Sequence, residues 1–187
     1  MTARLRESAH LREALPTERQ RVQQAVLELA GRIQGRRVLD VGPESSALAR
    51  LLAQQGADVV ATQDLLEPAS PLRGPFDVIT AAHCIDDSAD PEAALRVAAK
   101  LLHPRGRVVL ALGHPWRPPT DGATPHSALA TLPALLGALR SAGLRLVDAV
   151  EPGSGVAATT CEQPAPRYLV LVAERIGRRT RNRGTSG

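Results

Sequence analysis

Two short apolar runs, each typical of a buried β-strand, constrain the fold of this chain more than any other feature. The first run is Arg37-Val38-Leu39-Asp40-Val41-Gly42 and the second is Phe76-Asp77-Val78-Ile79-Thr80. Ligands of open α/β sheets bind just outside the carboxyl ends of such strands. We therefore interpret the two runs as the first and fourth strands of an α/β sheet with a ligand site at its carboxyl edge.

The rest of the chain alternates between helix-like and strand-like segments. Apolar residues recur at helical spacing in some segments, and short apolar runs lie between them. Segment 63–75 is too short for both a helix and a strand, so one βα unit is predicted to be trimmed there. The predicted helices are 17–33, 45 or 46 to 56, 91–102 and 126–142, and the further strands are 58–62, 107–112, 144–150 and 168–173.

This alternation predicts an α/β fold with a mostly parallel sheet and right-handed crossovers. The last two strands have no helix between them, so the last strand is predicted to be antiparallel and to lie at one edge. Strand 58–62 is a continuous apolar run, which is typical of a strand covered on both faces. Gly35 is predicted to end the first helix, and Pro104-Arg105-Gly106 is predicted to be a turn.

Length and charge indicate one folded domain and a basic tail. The 187 residues suit a single domain, predicted over 1–176 with an N-terminal helical segment at 1–35. Residues 175–187 hold five arginines and no acid, which leaves 18 basic against 19 acidic residues elsewhere. The segment 177–187 is predicted to be a disordered Arg-rich tail. Nucleic acid is an unlikely partner, because basic charge is concentrated in this tail and aromatic residues for base stacking are scarce.

Other classes of protein are disfavoured by simple counts. No segment reaches about 18 uninterrupted apolar residues, so a membrane protein is not expected and a cytoplasmic location is predicted. Cys84 and Cys161 lie far apart without metal-ligand spacing, so neither a disulfide framework nor a metal site is predicted. The sequence does not indicate the oligomeric state.

Over residues 30–175 the chain resembles the class I S-adenosylmethionine (SAM) methyltransferases. The second half is similar to the DREV family, which includes methyltransferase-like protein nine, a protein-histidine N-methyltransferase. That similarity rests on Phe76-Asp77-Val78-Ile79-Thr80, His83-Cys84-Ile85-Asp86, Asp90-Pro91, Gly106-Arg107-Val108-Val109-Leu110-Ala111-Leu112 with Pro115, and the stretch 132–143. The resemblance implies a Rossmann-like class I methyltransferase fold, with SAM (S-adenosyl-L-methionine) as the cofactor.

The resemblance also implies a cofactor site at Asp40, Gly42, Ser45, Gln63 and Asp64. The family's first loop runs Gly-x-Gly-x-Gly, whereas here only Gly42 remains before Pro43-Glu44-Ser45-Ser46. The acid expected after the second strand, which binds the ribose hydroxyls, aligns with Gln63, and Asp64 is next to it. Structural interpretations stay open: Asp40 bonding the loop backbone, Gly42 as a turn glycine, and Ser45 or Ser46 as a helix N-cap.

His83 and Asp86 are the predicted catalytic residues. Both follow the strand that begins at Phe76. The resemblance implies that Asp86 fixes the tautomer of a substrate imidazole. The family's Asn aligns with His83, whose imidazole is predicted to help bind the acceptor or to take up its proton. A partly buried histidine without a catalytic role is the alternative. The methyl acceptor is predicted to be a peptide, a protein or a small molecule. The altered glycine loop also leaves open a methyltransferase-like binding or partner subunit without catalysis.

Overall fold

The computed structural model describes residues 16–42, 45–67, 72–82, 84–85, 88–115, 129, 131–153 and 166–177. Helices and strands alternate along these residues. The helices are α1 (Glu18–Ala30), α2 (Ser45–Gln54), α3 (Pro91–Leu101) and α4 (Leu132–Ser141). The strands are β1 (Arg37–Val41), β2 (Asp58–Thr62), β3 (Phe76–Ala82), β4 (Leu102–Gly113), β5 (Leu144–Val150) and β6 (Tyr168–Arg175).

Within the described residues the strands form one sheet in the order β2-β1-β3-β4-β6-β5. Strands β1 to β4 pair in parallel, and β6 is antiparallel to both β4 and β5. This confirms the predicted α/β fold class, with its mostly parallel sheet and antiparallel last strand. Because β1 to β4 run the same way, their carboxyl ends meet at one edge, and that edge carries the candidate site.

The sheet is covered on both faces by helices. Helices α1 and α2 pack on one face over Val38, Val78 and Val109, whereas α3 and α4 pack on the other over Leu39, Ile79 and similar residues. Neighbouring residues of a strand point to opposite faces, so each buried strand is apolar on both sides. The two cores together fix the strand ends on which the site is built.

Local sequence signals explain where three helices begin. Thr17 forms a capping box with Gln20 at the start of α1. Asp90 caps α3 by accepting a hydrogen bond from the Ala93 N–H, with Pro91 at the first helical position. Thr131 caps α4 in the same way. These caps satisfy N–H groups that the helix itself leaves unpaired.

Several predicted element boundaries were wrong. Helix α1 ends at Ala30, because Gly31 adopts a positive φ of 70° and ends it four residues before Gly35. Helix α4 begins at Leu132 rather than at 126, because Thr131 caps it; residues 116–128 and 130 lie outside the described part. The predicted turn at 104–106 is an irregularity inside β4, where the partner of β3 jumps from Leu102 to Arg107.

Two predictions about the sheet edges were also wrong. Strand β6 does not lie at an edge but between β4 and β5, because β5 returns parallel to β4 through α4 and leaves a gap that an antiparallel strand fills. Strand β2 is not covered on both faces, because it forms the other edge and its residues are exposed or half-buried. In the described residues between β2 and β3 no further helix or strand is present, in agreement with the predicted trimming.

The last strand extends further than predicted. It continues to Arg175, whose guanidinium donates a hydrogen bond to the Leu102 carbonyl. Arg175 therefore belongs to the sheet rather than to the basic tail. Among the helices of the described part, none is both long and apolar enough to cross a membrane.

Candidate functional site

The candidate site begins with a buried carboxyl group in β1. Asp40 is 1% exposed, and its Oδ1 accepts a hydrogen bond of 2.6 Å from the Thr80 hydroxyl on β3. Within the described residues its Oδ2 has no hydrogen-bond partner. Burial raises the pKa of Asp40 from its ordinary value of 3.8 to about 6, although the Thr80 hydroxyl and the Ala49 backbone act in the opposite direction.

Asp40 points to the face of the sheet that α1 and α2 cover. It alternates with Leu39 and Val41, which belong to the core under α3 and α4. Its bond to Thr80 ties the ends of β1 and β3 together beneath α2. This arrangement agrees with a structural role for the Asp40 carboxyl group. The face of the sheet under α3 and α4 is left for a ligand cleft.

Gly42 lies where β1 leaves the sheet, in a conformation that favours glycine. Its φ is 133°, and a Cβ added there would lie 3.2 Å from both the Ala82 oxygen and the Cys84 Cβ. Its N–H donates to the Thr62 carbonyl at 3.0 Å, and the Cys84 thiol lies 3.2 Å from the Val41 oxygen. The ends of β1, β2 and β3 are therefore held in close contact, and a larger residue at 42 would force them apart.

A cleft of about 210 Å³ opens at this edge on the α3 side of the sheet. Gln63 and Asp64, both exposed, lie on its rim after β2, and Leu65 and Ile85 form its buried apolar part. Asp40 and Gly42 are not part of its lining. The lining residues are Val41, Gln63, Asp64, Leu65, Cys84, Ile85, Ser88, Ala89 and Ala94.

The carboxylate of Asp64 is fixed by its own loop. Its Oδ1 accepts a 2.9 Å hydrogen bond from the Leu66 N–H, and the Thr62 hydroxyl donates to the Asp64 carbonyl at 3.1 Å. The family's acid aligns with Gln63, which carries no charge. The turn after β2 places the carboxylate of the next residue, Asp64, on the rim of the cleft. Asp64 thus supplies an acceptor at the end of β2, where a ribose-binding acid is expected.

The described part of this edge fits SAM in its chemistry. Asp64 offers oxygen acceptors suited to ribose hydroxyls, and the Leu65, Ile85 and Ala94 side chains form an apolar wall suited to an adenine ring. Gly42 keeps bulk away from the strand end. The cleft is smaller than the roughly 300 Å³ at which drug-sized pockets begin, so its volume alone matches only part of a SAM molecule.

Three further predicted site residues fall outside what the structure describes. His83 and Asp86 lie outside the described residues, although the neighbouring Cys84 and Ile85 reach the cleft. Ser45 is the first residue of α2, but its side chain is not among those described. The roles assigned to these residues stay predictions.

A second polar pair at the same edge was not predicted from the sequence. His114 follows β4 and is 8% exposed, and its Nε2 lies 3.0 Å from the Glu151 Oε1 after β5. The sequence places both residues directly after strands, which indicates the carboxyl edge for each. Their contact was missed because it depends on β6 lying between β4 and β5, and that order was not predicted.

Comparison with known proteins identifies the family. A family model described as a methyltransferase domain matches residues 11–149, which is more than half of the chain. A curated relative, a ubiquinone biosynthesis O-methyltransferase of Bordetella avium, is 32% identical over 109 aligned positions covering 44% of this chain. The match spans 45% of that relative, so this chain corresponds to less than half of its length.

Solved structures share the fold at lower identity. A SAM-dependent methyltransferase from Mesorhizobium loti is 19% identical with a TM-score of 0.63, covering 81% of this chain and 96% of that one. A Burkholderia thailandensis 1,6-didemethyltoxoflavin-N1-methyltransferase, solved with that compound and S-adenosylhomocysteine, is 21% identical with a TM-score of 0.61; the shares covered are 92% and 85%.

The narrower resemblance to the DREV family is not confirmed by these comparisons. The matched region includes β1, β2, β3 and the cleft between their ends. SAM is the cofactor that this membership and the chemistry of the cleft indicate. From the family match and the Rossmann-like sheet we conclude that the chain belongs to the methyltransferase domain family.

Proposed function

We propose that this chain is a SAM-dependent methyltransferase that methylates the hydroxyl group of a small molecule. The observation that carries the proposal is the cleft at the carboxyl edge, with Asp64 fixed at its rim, in a chain that belongs to the methyltransferase domain family. The oxygen acceptor is supported by the curated relative, whose name is that of an O-methyltransferase.

The cofactor would be held mainly by β1, β2 and the residues after β3. Asp64 would accept hydrogen bonds from the ribose, with Gln63 beside it as a further polar contact, and Leu65 and Ile85 would contact the adenine. When bound, SAM supplies an electrophilic methyl group whose leaving group is a neutral thioether. The residues of the chain then have to orient the acceptor, exclude water and hold the acceptor's proton.

Asp40 and Gly42 would act on the cofactor through the shape of the strand end. The Asp40–Thr80 hydrogen bond and the absence of a side chain at Gly42 keep β1, β2 and β3 at their close spacing. Ser45 begins α2, whose N-terminus is suited to an anionic group such as the carboxylate of SAM. Asp40, Thr80 and Ser45 would compensate in part for the two glycines that the first loop lacks.

His83 and Asp86 would contact the acceptor from the β3 side of the site. Their neighbours Cys84 and Ile85 line the cleft, so the segment after β3 reaches the cofactor region. In this proposal, replacing Asp86 by alanine raises the KM for the acceptor or abolishes methyl transfer, while the affinity for S-adenosylhomocysteine changes less than about twofold.

The proposal is tested by offering the chain SAM with an isotope-labelled methyl group and two acceptor panels. One panel contains small phenols, enols and hydroxylated heterocycles, and the other contains histidine-bearing peptides. We expect labelled methyl ethers in the first panel, identified by mass spectrometry. Label on histidine peptides alone would replace the proposal with the histidine-methylating activity of the DREV resemblance. No label on either panel, from protein that binds S-adenosylhomocysteine, would favour a partner subunit without catalysis.

A further inference from the structure

A second cavity, of about 110 Å³, lies at the same edge of the sheet under the first turns of α4. Leucines from α4, β5 and β6 form its walls, so it is mostly apolar. Two polar side chains, those of His114 and Glu151, also line it. The leucines that line it are Leu132, Leu135, Leu136, Leu146, Leu169 and Leu171.

The position of His114 is fixed from two directions. Its backbone N–H donates to the Arg167 carbonyl at 2.9 Å, and its ring Nε2 lies 3.0 Å from the Glu151 Oε1. The side chain of His114 is 5% exposed, whereas that of Glu151 is 48% exposed. The imidazole is therefore held at the apolar cavity, while the carboxylate that orients it still reaches solvent.

The cavity lies on the same side of the sheet as the cofactor cleft. Both are bounded by members of the core beneath α3 and α4, Leu65 and Ile85 for the cleft and Leu135 and Leu171 for the cavity. Strands β3 and β4 are neighbours, and Ala82 pairs with Ala111. The cleft residue Cys84 and the cavity residue His114 follow these paired positions by two and three residues, at adjacent strand ends.

We propose that this cavity and the His114–Glu151 pair form the acceptor subsite, which takes a neutral hydroxyl compound carrying a small apolar group. His114 receives the hydroxyl proton and is a catalytic residue, and Glu151 orients the imidazole and is a positioning residue. This inference rests on the proposed function, because it assigns the acceptor side of the same site.

The proton transfer balances with the methyl transfer. The acceptor's O–H bond breaks, and its proton goes to the His114 imidazole. The electron pair left on oxygen forms the new O–CH₃ bond, while the electrons of the broken C–S bond stay with sulfur. The imidazolium that results lies beside the Glu151 carboxylate, which stabilises its charge in a poorly hydrated place.

Size and charge define the class of acceptor. A cavity of about 150 Å³ lined by apolar side chains holds a benzene ring, so one of about 110 Å³ suits a short alkyl group or the edge of a ring. The proposed role requires a neutral His114 beside the Glu151 carboxylate, and the negative charge of this pair repels an anionic acceptor. A neutral alcohol, enol or phenol is therefore favoured over an acceptor with a carboxylate near its hydroxyl.

Binding is measured first, without reference to turnover. Titrations of 4-propylphenol, followed by ligand-observed NMR with and without S-adenosylhomocysteine, should show saturable binding that 4-hydroxybenzoate does not match. Leu136→Trp, which fills the cavity from α4, should lower the affinity for 4-propylphenol at least about tenfold. His103→Gln replaces an exposed histidine near the start of β4 and is the control for His114→Gln. It should bind 4-propylphenol as the wild type does. Equal binding by wild type and Leu136→Trp would overturn the proposal.

Kinetics then separate the two roles, with an acceptor that the isotope-labelling assay identifies. His114→Gln should lower kcat about 100-fold or more, and the affinity for S-adenosylhomocysteine should stay within about twofold. Glu151→Gln should lower kcat with little change in the acceptor KM, and Glu151→Asp should restore part of kcat. Wild-type kcat in both His114→Gln and Glu151→Gln would contradict the assigned roles.

Failure of this inference and failure of the proposed function give different results. If wild type transfers methyl groups but the cavity and pair variants match it, only the acceptor subsite is wrong. If wild type transfers no methyl group at all, the proposed function fails. The titrations of 4-propylphenol without cofactor then decide about the cavity. Saturable binding supports the cavity as a site for neutral phenols but not the catalytic role of His114, and absence of binding overturns both.

Discussion

At the scale of single residues, Asp40 shows how burial changes the chemistry of a strand end. The carboxyl group is nearly inaccessible, its Oδ1 is bonded to Thr80, and its Oδ2 lacks a partner among the described residues. Desolvation disfavours the ionised form, so the pKa is raised to about 6. The folded state therefore holds this proton at pH values where the unfolded chain has already released it.

The sign of the resulting pH dependence follows from linkage. Between the ordinary pKa of 3.8 and about 6, the native state binds more protons than the unfolded state, so the free energy of unfolding falls as pH rises. Above this window the loss is complete and constant. A shift of about two pKa units corresponds to at most roughly 3 kcal/mol.

We predict that Asp40→Asn raises the free energy of unfolding by about 1–3 kcal/mol near pH 7, because the amide carries no charge and its oxygen still accepts from Thr80. The gain should vanish below about pH 4, where the carboxyl group is protonated in both states. Urea unfolding of both proteins across this pH range measures it. A loss of stability at neutral pH, or a difference independent of pH, would contradict the prediction.

At the scale of elements, one side chain caps the N-terminus of helix α3. The Asp90 Oδ1 accepts from the Ala93 N–H at 2.8 Å, and the Asp90–Arg96 ion pair at 3.8 Å is exposed and worth little. Asp90→Ala should therefore lower the free energy of unfolding by about 1 kcal/mol. Asp90→Asn keeps the capping oxygen and should lose only a few tenths. Equal losses in the two variants, measured by thermal or urea unfolding, would mean that charge rather than capping matters.

The elements also show what the sequence predicted and what it did not. Strands β2 and β5 were predicted at their observed bounds, because each begins within two residues of a glycine, Gly56 or Gly143, that follows a helix, and this is a local signal. The strand order was predicted only in part. Whether β6 lies at an edge or between β4 and β5 depends on which neighbour offers open hydrogen-bonding groups, and no local pattern encodes that choice.

The same distinction applies to the site. Asp64 was predicted because it is next to Gln63, with which the family's acid aligns, and it lies on the rim of the cleft. Asp40 was predicted as a cofactor contact, but its side chain faces α2, on the side away from the cleft. Glu151 was not predicted, because its significance arises only from its contact with His114 across the sheet.

At the scale of the whole molecule, the described part of the sheet ends at β2, whose residues are exposed or half-buried. No helix or strand is present in the described residues between β2 and β3. Within the described residues, the cleft therefore lies beside the edge strand of the sheet. In the proposed site, the binding free energy of the cofactor would come mainly from contacts with β1, β2 and the segment after β3, and Asp64 would supply its carboxylate.

The Arg-rich tail is predicted to be dispensable for folding. Residues 178–187 contain no apolar side chain, so they can bury little surface on the domain. A chain without these residues should melt within about 2 °C of the full chain, since a shift of this size corresponds to at most about 1 kcal/mol. Differential scanning calorimetry measures this, and a drop of many degrees would mean that the tail docks on the domain.

The most direct test of the account is a calorimetric titration of S-adenosylhomocysteine into the full chain. We predict one site per chain, with a dissociation constant in the micromolar range, about −8 kcal/mol. Asp64→Ala should weaken binding at least about tenfold, because a carboxylate that accepts ribose hydroxyls is lost. Asp58→Ala, the matched acid at the other end of β2, should leave the affinity unchanged. No heat at millimolar ligand, or equal affinity in Asp64→Ala and wild type, would contradict the assignment of the cofactor site.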